Sequence, residues 1–121
     1  MATFRTIVDD VDAAVGFYMT HLGFELVEQF GPAMAILSRG DLTLWTAGPL
    51  ASASRPMPDG AKAGPGGWNR IVLIVDDLDA LVTRLSAAGV GFRNAVVTGP
   101  GGRQILCCDP SGNPVELFEP A

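Results

Sequence analysis

The same pattern of apolar and acidic positions occurs twice along the chain, at a spacing of 67 residues. Residues 7–15 read IVDDVDAAV and residues 74–82 read IVDDLDALV, with seven identities in nine positions. In each copy a short apolar segment, typical of a buried strand, ends at two aspartates and continues with helical spacing of its apolar residues. The repeat predicts two related halves, each opening with a strand and an amphipathic helix.

Each predicted helix has one apolar face and a signal at both ends. The faces consist of Val11, Ala14, Val15 and Tyr18 in the first helix, and of Leu78, Leu81, Val82 and Leu85 in the second. Aspartates supply N-cap oxygens and favourable negative charge at the helix N-termini. Gly23 and Gly89 are typical helix stops. We interpret both helices as scaffold elements that cover one face of a sheet.

Strand-like segments follow each helix and are separated by turns rich in glycine and proline. They are residues 24–30, 33–39 and 41–47 in the first half, and 90–97, 102–108 and 113–119 in the second. The GPGG segment at 99–102 lacks the lysine of a phosphate-binding loop, so we interpret it as a hairpin turn. Each half is then βαβββ, and a single helix leaves one face of its sheet uncovered.

The domain organisation follows from this repeat. We expect one α+β domain over residues 1–121, with a first module at 1–47 and a second at 68–121. Residues 48–67 are rich in Gly, Pro, Ala and Ser and have no hydrophobic periodicity. They predict a long surface connection between the modules.

Composition and charge narrow the classes of function. Eight basic and 13 acidic residues give a net charge of −5, so we expect no nucleic-acid partner. No apolar run approaches the roughly 20 residues that span a bilayer, and the N-terminus lacks a signal-peptide pattern. We expect a cytoplasmic protein without membrane contact, with Cys107 and Cys108 reduced. With His21 as its one histidine, the chain cannot build a site from several imidazoles.

Three motifs resemble those of the vicinal oxygen chelate superfamily, the glyoxalase/bleomycin-resistance/dioxygenase group. They are VDDVDAAVGFYMTHLGFELVE in the first half, and DDLDALVTRLSAAGVGF and DPSGNPVELFEP in the second. The resemblance implies two βαβββ modules that form a curved mixed sheet around a central cavity, and a homodimer. It leaves open whether modules pair within one chain or between chains. Because this fold hosts enzymes and non-catalytic drug-binding proteins, it does not define an activity.

Metal-dependent members of the group hold their ion on the first and last strands of each module. The resemblance places these positions at Thr3, Thr43, Arg70 and Glu116, with Thr43 assigned by register with Glu116. Only Glu116 binds metal well, because a guanidinium is a permanent cation without a lone pair. We therefore expect no metal and no cofactor. Instead we expect a charge-assisted hydrogen bond between Arg70 and Glu116, which either compensates a buried carboxylate or also contacts a ligand.

Strand alternation extends the predicted cavity wall to Arg5, Trp45, Val72 and Phe118. Leu42, Leu44, Ile71, Leu73, Val115 and Leu117 are then expected behind the sheet. Trp45 either lines the cavity or packs in the core, and Trp68 lies at the cavity rim or in a dimer contact. Aromatic faces with a few polar groups are typical of small-molecule sites. The predicted ligand-binding residues are Arg5, Thr43, Trp45, Trp68, Arg70, Glu116 and Phe118.

These features favour a metal-independent protein that sequesters an aromatic or amphiphilic compound, such as an antibiotic. The alternative is a lyase, isomerase or glyoxalase-like enzyme, with Glu116 in acid/base chemistry and Arg70 as oxyanion stabiliser. Cys107 or Cys108 is a further candidate nucleophile, although the sequence shows no basic partner. The charge of the ligand stays open, because the net charge favours cations whereas Arg5 and Arg70 favour acidic groups.

Overall fold

The computed structural model describes residues 2–121, which form two compact units, one ending at Gly66 and the other running from Gly67 to Ala121. The first unit comprises β1 (Ala2–Ile7), α1 (Val11–Leu22), β2 (Glu25–Phe30), β3 (Met34–Arg39) and β4 (Leu42–Ala47). The second comprises β5 (Ile71–Ile74), α2 (Leu78–Ala87), β6 (Val97–Gly99), β7 (Gly102–Cys108) and β8 (Pro114–Pro120). The α+β class and the βαβββ order of each half are confirmed.

Each unit has its own four-stranded mixed sheet. The strand order is β1-β4-β3-β2 in the first sheet and β5-β8-β7-β6 in the second. In both sheets the first strand pairs parallel with the last, and the other pairs are antiparallel. The parallel pair therefore brings residues from the beginning and the end of each unit side by side.

One face of each sheet packs against its helix and forms the core of that unit. The predicted face of α1 is buried in full, and on α2 Leu78 and Leu85 are buried while Leu81 and Val82 are half-buried. Of the residues expected behind the sheets, Leu42 is half-buried and the others are buried, namely Leu44, Ile71, Leu73, Val115 and Leu117.

The helix ends follow the sequence signals. Asp10 and Asp77 accept hydrogen bonds from the backbone N–H groups of Ala13 and Ala80, both at 3.1 Å. Gly23 ends α1 with a φ of 72°, a left-handed conformation that glycine adopts without strain. Within residues 2–121, neither helix combines the length and the hydropathy needed to cross a bilayer.

The DPSGN segment between β7 and β8 is a turn built on the buried carboxylate of Asp109. Its Oδ1 accepts hydrogen bonds from the backbone N–H groups of Ser111 and Asn113, both at 2.9 Å. Its Oδ2 accepts a bond from the Asn113 side chain at 3.0 Å. This local network satisfies the turn and sets where β8 begins.

The strand predicted at 90–97 is wrong for most of its length. The strand β6 covers only Val97–Gly99, and Phe92 makes an isolated bridge to Cys107. The Asn94 side chain accepts a hydrogen bond from the Leu106 N–H at 2.9 Å, so a side chain replaces a strand carbonyl and interrupts the ladder. The hairpin predicted at 99–102 is present between β6 and β7.

The segment that follows β4 is ordered by local hydrogen bonds and groups with the first unit up to Gly66. The Gly48 N–H donates to the Ala33 oxygen at 2.8 Å, and the Ser54 hydroxyl donates to the Gly48 oxygen at 2.7 Å. A short 3-10 helix covers Ser52–Ser54. An added Cβ at Gly48 would lie 2.8 Å from Val11 of α1, so this close approach requires glycine.

The two adjacent cysteines lie on opposite faces of β7. Cys107 is fully buried and pairs with Val115, whereas Cys108 is half-buried and pairs with Pro114. Both are free thiols. Burial raises the pKa of the Cys107 thiol to about 12, so its nucleophilic thiolate is scarce at neutral pH. Of the two candidate nucleophiles, burial therefore disfavours Cys107.

We expect native protein to contain one fast-reacting thiol per chain. Burial raises the pKa of the Cys107 thiol to about 12, so very little of its thiolate is present at pH 8. The thiol reagent 5,5′-dithiobis(2-nitrobenzoic acid) should therefore modify Cys108 first, and Cys107 only after unfolding in guanidinium chloride. The Cys107→Ser variant should keep the fast phase and Cys108→Ser should lose it. Fast modification of native Cys108→Ser protein would contradict the burial of Cys107.

Thr46 places an unpaired hydroxyl group in the core of the first unit. It lies on β4 beside Thr6 of β1 and is fully buried. Its Oγ1 has no hydrogen-bond partner within residues 2–121. A buried hydroxyl group without a partner costs about 1–3 kcal/mol of stability.

We expect Thr46→Val to raise the free energy of unfolding by about 1 kcal/mol, because valine keeps the shape of the side chain and removes the hydroxyl. Urea denaturation followed by circular dichroism measures the change. Thr43→Val is the matched control, since Thr43 is half-buried on the other face of β4 and should show no comparable gain. A Thr46→Val protein no more stable than the wild type would show that the hydroxyl carries no penalty.

Candidate functional site

A guanidinium and a buried carboxylate meet at the start of the parallel pair of β5 and β8. Arg70 directly precedes β5, and its Nη2 and Nε both donate to Glu116 Oε1, at 2.8 and 3.1 Å. Its Nη1 donates to the backbone oxygen of Trp68 at 3.2 Å. The predicted bond between Arg70 and Glu116 is present.

Burial explains why this pair holds together. The Glu116 side chain is only 11% exposed and that of Arg70 is 30% exposed. A carboxylate at this depth requires a compensating charge, which Arg70 supplies through charge-assisted bonds. Both bonds use Oε1, so the second carboxylate oxygen is not engaged by Arg70.

In the first unit, the equivalent parallel pair brings a guanidinium over an aromatic ring. Arg5 on β1 and Trp45 on β4 are cross-strand partners, and the guanidinium carbon lies 5.0 Å from the centroid of the ring. This distance is that of a cation–π interaction. Arg5 is exposed and Trp45 is half-buried, on the face opposite the buried Leu44. The Trp45 ring therefore lies outside the helix-covered core.

The strand pairing corrects one predicted position. Thr43 pairs with Thr3, but Glu116 pairs with Val72. With the 67-residue offset of the repeat, Val72 corresponds to position 5, whose partner is Trp45. The residue equivalent to Glu116 is therefore Trp45, and the predicted match of Thr43 with Glu116 is wrong by two residues. The segments that lead into the last strands differ in length and in turn structure, which the repeat does not reveal.

We call the face of the first sheet opposite α1 the first open face. Cross-strand partners on β1, β4, β3 and β2 form three rows on this face. The polar row consists of Thr3, Thr43, Ser38 and Glu25, and the central row consists of Arg5, Trp45, Ile36 and Glu28. The apolar row consists of Ile7, Ala47, Met34 and Phe30. Three predicted ligand-binding residues thus lie together, because a two-residue shift in register keeps Thr43 and Trp45 on one face. The chemistry of this face changes from hydroxyl groups to apolar side chains along the strands.

The face of the second sheet opposite α2, the second open face, carries Glu116 and Phe118. Phe118 is half-buried between its partners Ile74 and Gln104. Val72 and Ile74 on the same face are 48% and 56% exposed. The structure thus brings Arg70, Glu116 and Phe118 together, beside a strongly exposed apolar strip on β5.

Arg93 is a candidate residue that the sequence reasoning missed. Its guanidinium carbon lies 4.7 Å from the ring centroid of Trp68, which is 69% exposed. It also donates to the backbone oxygens of Gly67 at 2.6 Å and Gly112 at 3.0 Å. Arg93 therefore holds the Trp68 indole and ties its loop to the Asp109 turn. A single charge in an otherwise apolar segment was the only signal in the sequence.

The four positions implied for a metal ion do not form a suitable donor set. Arg70 has no lone pair to donate, and it already engages Glu116. The corrected register replaces Thr43 by Trp45, whose indole is a donor only. Within residues 2–121, no group of three or more His, Cys, Asp or Glu side chains could hold an ion. The residues present do not fit a divalent metal ion.

A cavity of about 370 Å³ lies elsewhere in the first unit, between the end of β1 and the segment after β4. Asp9, Arg55 and Lys62 supply its charged lining. It contains none of the predicted ligand-binding residues, and of the residues of the first open face it includes Ile7.

Solved structures of the same fold include a lyase and an antibiotic-binding protein. The chain is similar to lactoylglutathione lyase from Agrobacterium tumefaciens, with 26% identity, coverage of 98% of this chain and 92% of that chain, and a TM-score of 0.78. It is similar to TnmS3, an antibiotic binding protein from Streptomyces sp. CB03234, with 29% identity, coverage of 98% and 93%, and a TM-score of 0.74.

A third similar structure is a superfamily member from Sphaerobacter thermophilus DSM 20745, with 30% identity, coverage of 98% of this chain and 95% of that chain, and a TM-score of 0.78. No curated protein sequence matches the chain. The family model described as Glyoxalase/Bleomycin resistance protein/Dioxygenase superfamily matches residues 1–117. The chain therefore belongs to the glyoxalase/bleomycin resistance protein/dioxygenase superfamily.

Proposed function

We propose that the protein is a metal-independent binding protein that sequesters an aromatic or amphiphilic small molecule, such as an antibiotic. The observation that carries the proposal is the Arg70–Glu116 pair. The family resemblance implies that metal-dependent members hold a ligand at the position of Arg70. The similarity to an antibiotic binding protein at 29% identity supports the same function class.

In this proposal each open face offers groups that can contact a ligand, and the Trp68 indole offers a further ring in the second unit. Trp45 and Phe118 offer ring faces, and stacking on such rings is worth about 0.5–1.5 kcal/mol per good pair beyond burial. Thr43 and Glu116 offer oxygen atoms, while Arg5 and Arg70 offer charged donors. These groups bind and orient a ligand, and none of them has a partner arrangement typical of a nucleophile.

We also propose that the chain acts as a homodimer in the cytoplasm. The exposure of Val72, Ile74 and Trp68, at 48%, 56% and 69%, supports an apolar contact with a second copy. The two free thiols support a reducing compartment. We further propose that residues 1–121 form a single domain.

We expect the Arg70–Glu116 pair to stabilise the second unit as a coupled pair. Arg70→Met should lower the free energy of unfolding by about 1–3 kcal/mol, because it leaves a carboxylate that is 11% exposed without a partner. The double variant Arg70→Met/Glu116→Met removes that buried charge and should recover most of the loss. Urea denaturation of the wild type, Arg70→Met, Glu116→Met and the double variant gives the coupling energy. A double variant no more stable than Arg70→Met would show that the pair is not coupled.

The proposed function is tested with a panel of aromatic antibiotics, including bleomycin, an anthracycline and a naphthoquinone. We expect at least one compound to quench tryptophan fluorescence with a Kd below about 10 μM, equivalent to roughly 7 kcal/mol of binding free energy. The variants Trp45→Phe and Trp68→Phe assign the signal to one indole. Chromatography should return the compound unchanged after overnight incubation.

The same titration separates binding from catalysis. We expect equal affinity before and after dialysis against EDTA, and less than about 0.1 equivalents of transition metal by elemental analysis, because the donor set does not hold an ion. Conversion of the compound, or a bound metal that survives dialysis, would contradict the proposal and favour the lyase or glyoxalase-like alternative.

A further inference from the structure

Arg5 carries a positive charge that no carboxylate in residues 2–121 neutralises. Ion pairs within 4.0 Å occupy Arg70, with Glu116 at 2.8 Å, and Arg103, with Asp79 at 3.1 Å. Arg5 has no such pair in the described chain, and its side chain is exposed. Because a guanidinium stays protonated, this charge is available to a ligand.

The contact between Arg5 and Trp45 positions this charge without consuming its donors. The guanidinium carbon is 5.0 Å from the ring centroid, and the two residues are direct cross-strand partners. A cation–π contact engages the charge of the guanidinium and pairs none of its N–H groups with a hydrogen-bond acceptor. The planar fork of donors can therefore still bind two oxygens of an acid.

The surroundings of Arg5 on the first open face contain no competing carboxylate. Its neighbours on β4 are Thr43, Trp45 and Ala47. The carboxylate in the same cross-strand row is Glu28 on β2, three strands away. Neighbouring strands lie 4.7–4.9 Å apart, so the backbones at Arg5 and Glu28 are about 14 Å apart. This distance exceeds the Debye length at physiological ionic strength.

Arg5 and Arg70 thus differ in what they can do for a ligand. The Arg70 charge is compensated inside the protein by Glu116. The Arg5 charge is supported only by an aromatic surface, which continues across the row to the apolar side chain of Ile36. The central row of the first open face therefore presents an acid-binding group beside the Trp45 ring and the apolar side chain of Ile36, with Glu28 at its far end.

We propose that the first open face selects a planar aromatic acid, whose rings pack against the part of Trp45 that Arg5 does not cover and whose carboxylate or phenolate oxygens bind Arg5. This inference rests on the proposed function and specifies the charge of its ligand. Arg5, rather than Arg70, is the residue that determines specificity for the acid.

Three naphthalene probes of matched size test the charge preference by isothermal titration calorimetry on the full chain. They are 2-naphthoic acid, 2-naphthamide and 2-naphthylmethylamine, which are an anion, a neutral amide and a cation at pH 7.5. We expect the acid to bind about tenfold more tightly than the amide, as a charge-assisted bidentate contact allows, and the amine to bind most weakly.

Variants assign the preference to one residue. Arg5→Gln should reduce the ratio of acid to amide affinity to about one, and Arg5→Lys should retain part of it, because lysine keeps the charge but loses the planar fork. Arg84→Gln, on the exposed side of α2, changes the net charge equally and should keep the full ratio. Circular dichroism checks that each variant is folded.

The outcomes separate this inference from the proposed function. If antibiotics of the panel bind but the amide or the amine binds as tightly as the acid, or no naphthalene binds, the proposed function stands and the inference fails. A preference for the acid that survives Arg5→Gln also overturns it. If no compound of either set binds, both fail.

Discussion

The parallel pairing of the first and last strands decides which side chains of each unit can act together. In a parallel pair, residues from opposite ends of a unit become neighbours about 4.8 Å apart. This pairing brings Arg5 against Trp45 in one sheet and Glu116 within reach of Arg70 in the other. Because the helix covers the other face, the functional groups of each unit concentrate on its open face.

The guanidinium groups of Arg5 and Arg70 occupy similar positions in the two units. Their different partners give them different chemistry. Glu116 is deeply buried, so the Arg70 charge is needed to offset the desolvation of the carboxylate. A Trp45 ring requires no charge from Arg5, and the contact leaves the positive field of Arg5 intact. The Arg70 guanidinium mainly stabilises the fold, whereas the Arg5 guanidinium keeps its charge exposed on the open face of the sheet.

Several charged side chains of the kind found in functional sites stabilise the fold instead. The Asp109 carboxylate is used by its own turn, although it lies in the motif that carries the family resemblance. Glu119 accepts a bond from the Leu78 N–H at 2.9 Å and so caps α2 from β8. Arg103 donates to Asp79 of α2 at 3.1 Å and anchors the same helix end. These hydrogen bonds stabilise the second unit, which contains Arg70 and Glu116.

The sequence by itself determined the two helices with their caps, and five of the six strands whose bounds it predicted, to within one residue. Together with the family resemblance, it also predicted the meeting of Arg70 with Glu116. The helices and strands depend on local periodicity or on the repeat, which a linear pattern contains. Only the tertiary structure decided that Trp45 is the counterpart of Glu116, that Asn94 interrupts a strand, and that Arg93 holds Trp68. Strand register and long-range side-chain bonds depend on turn geometry and on contacts between distant segments, and neither leaves a periodic trace in the chain.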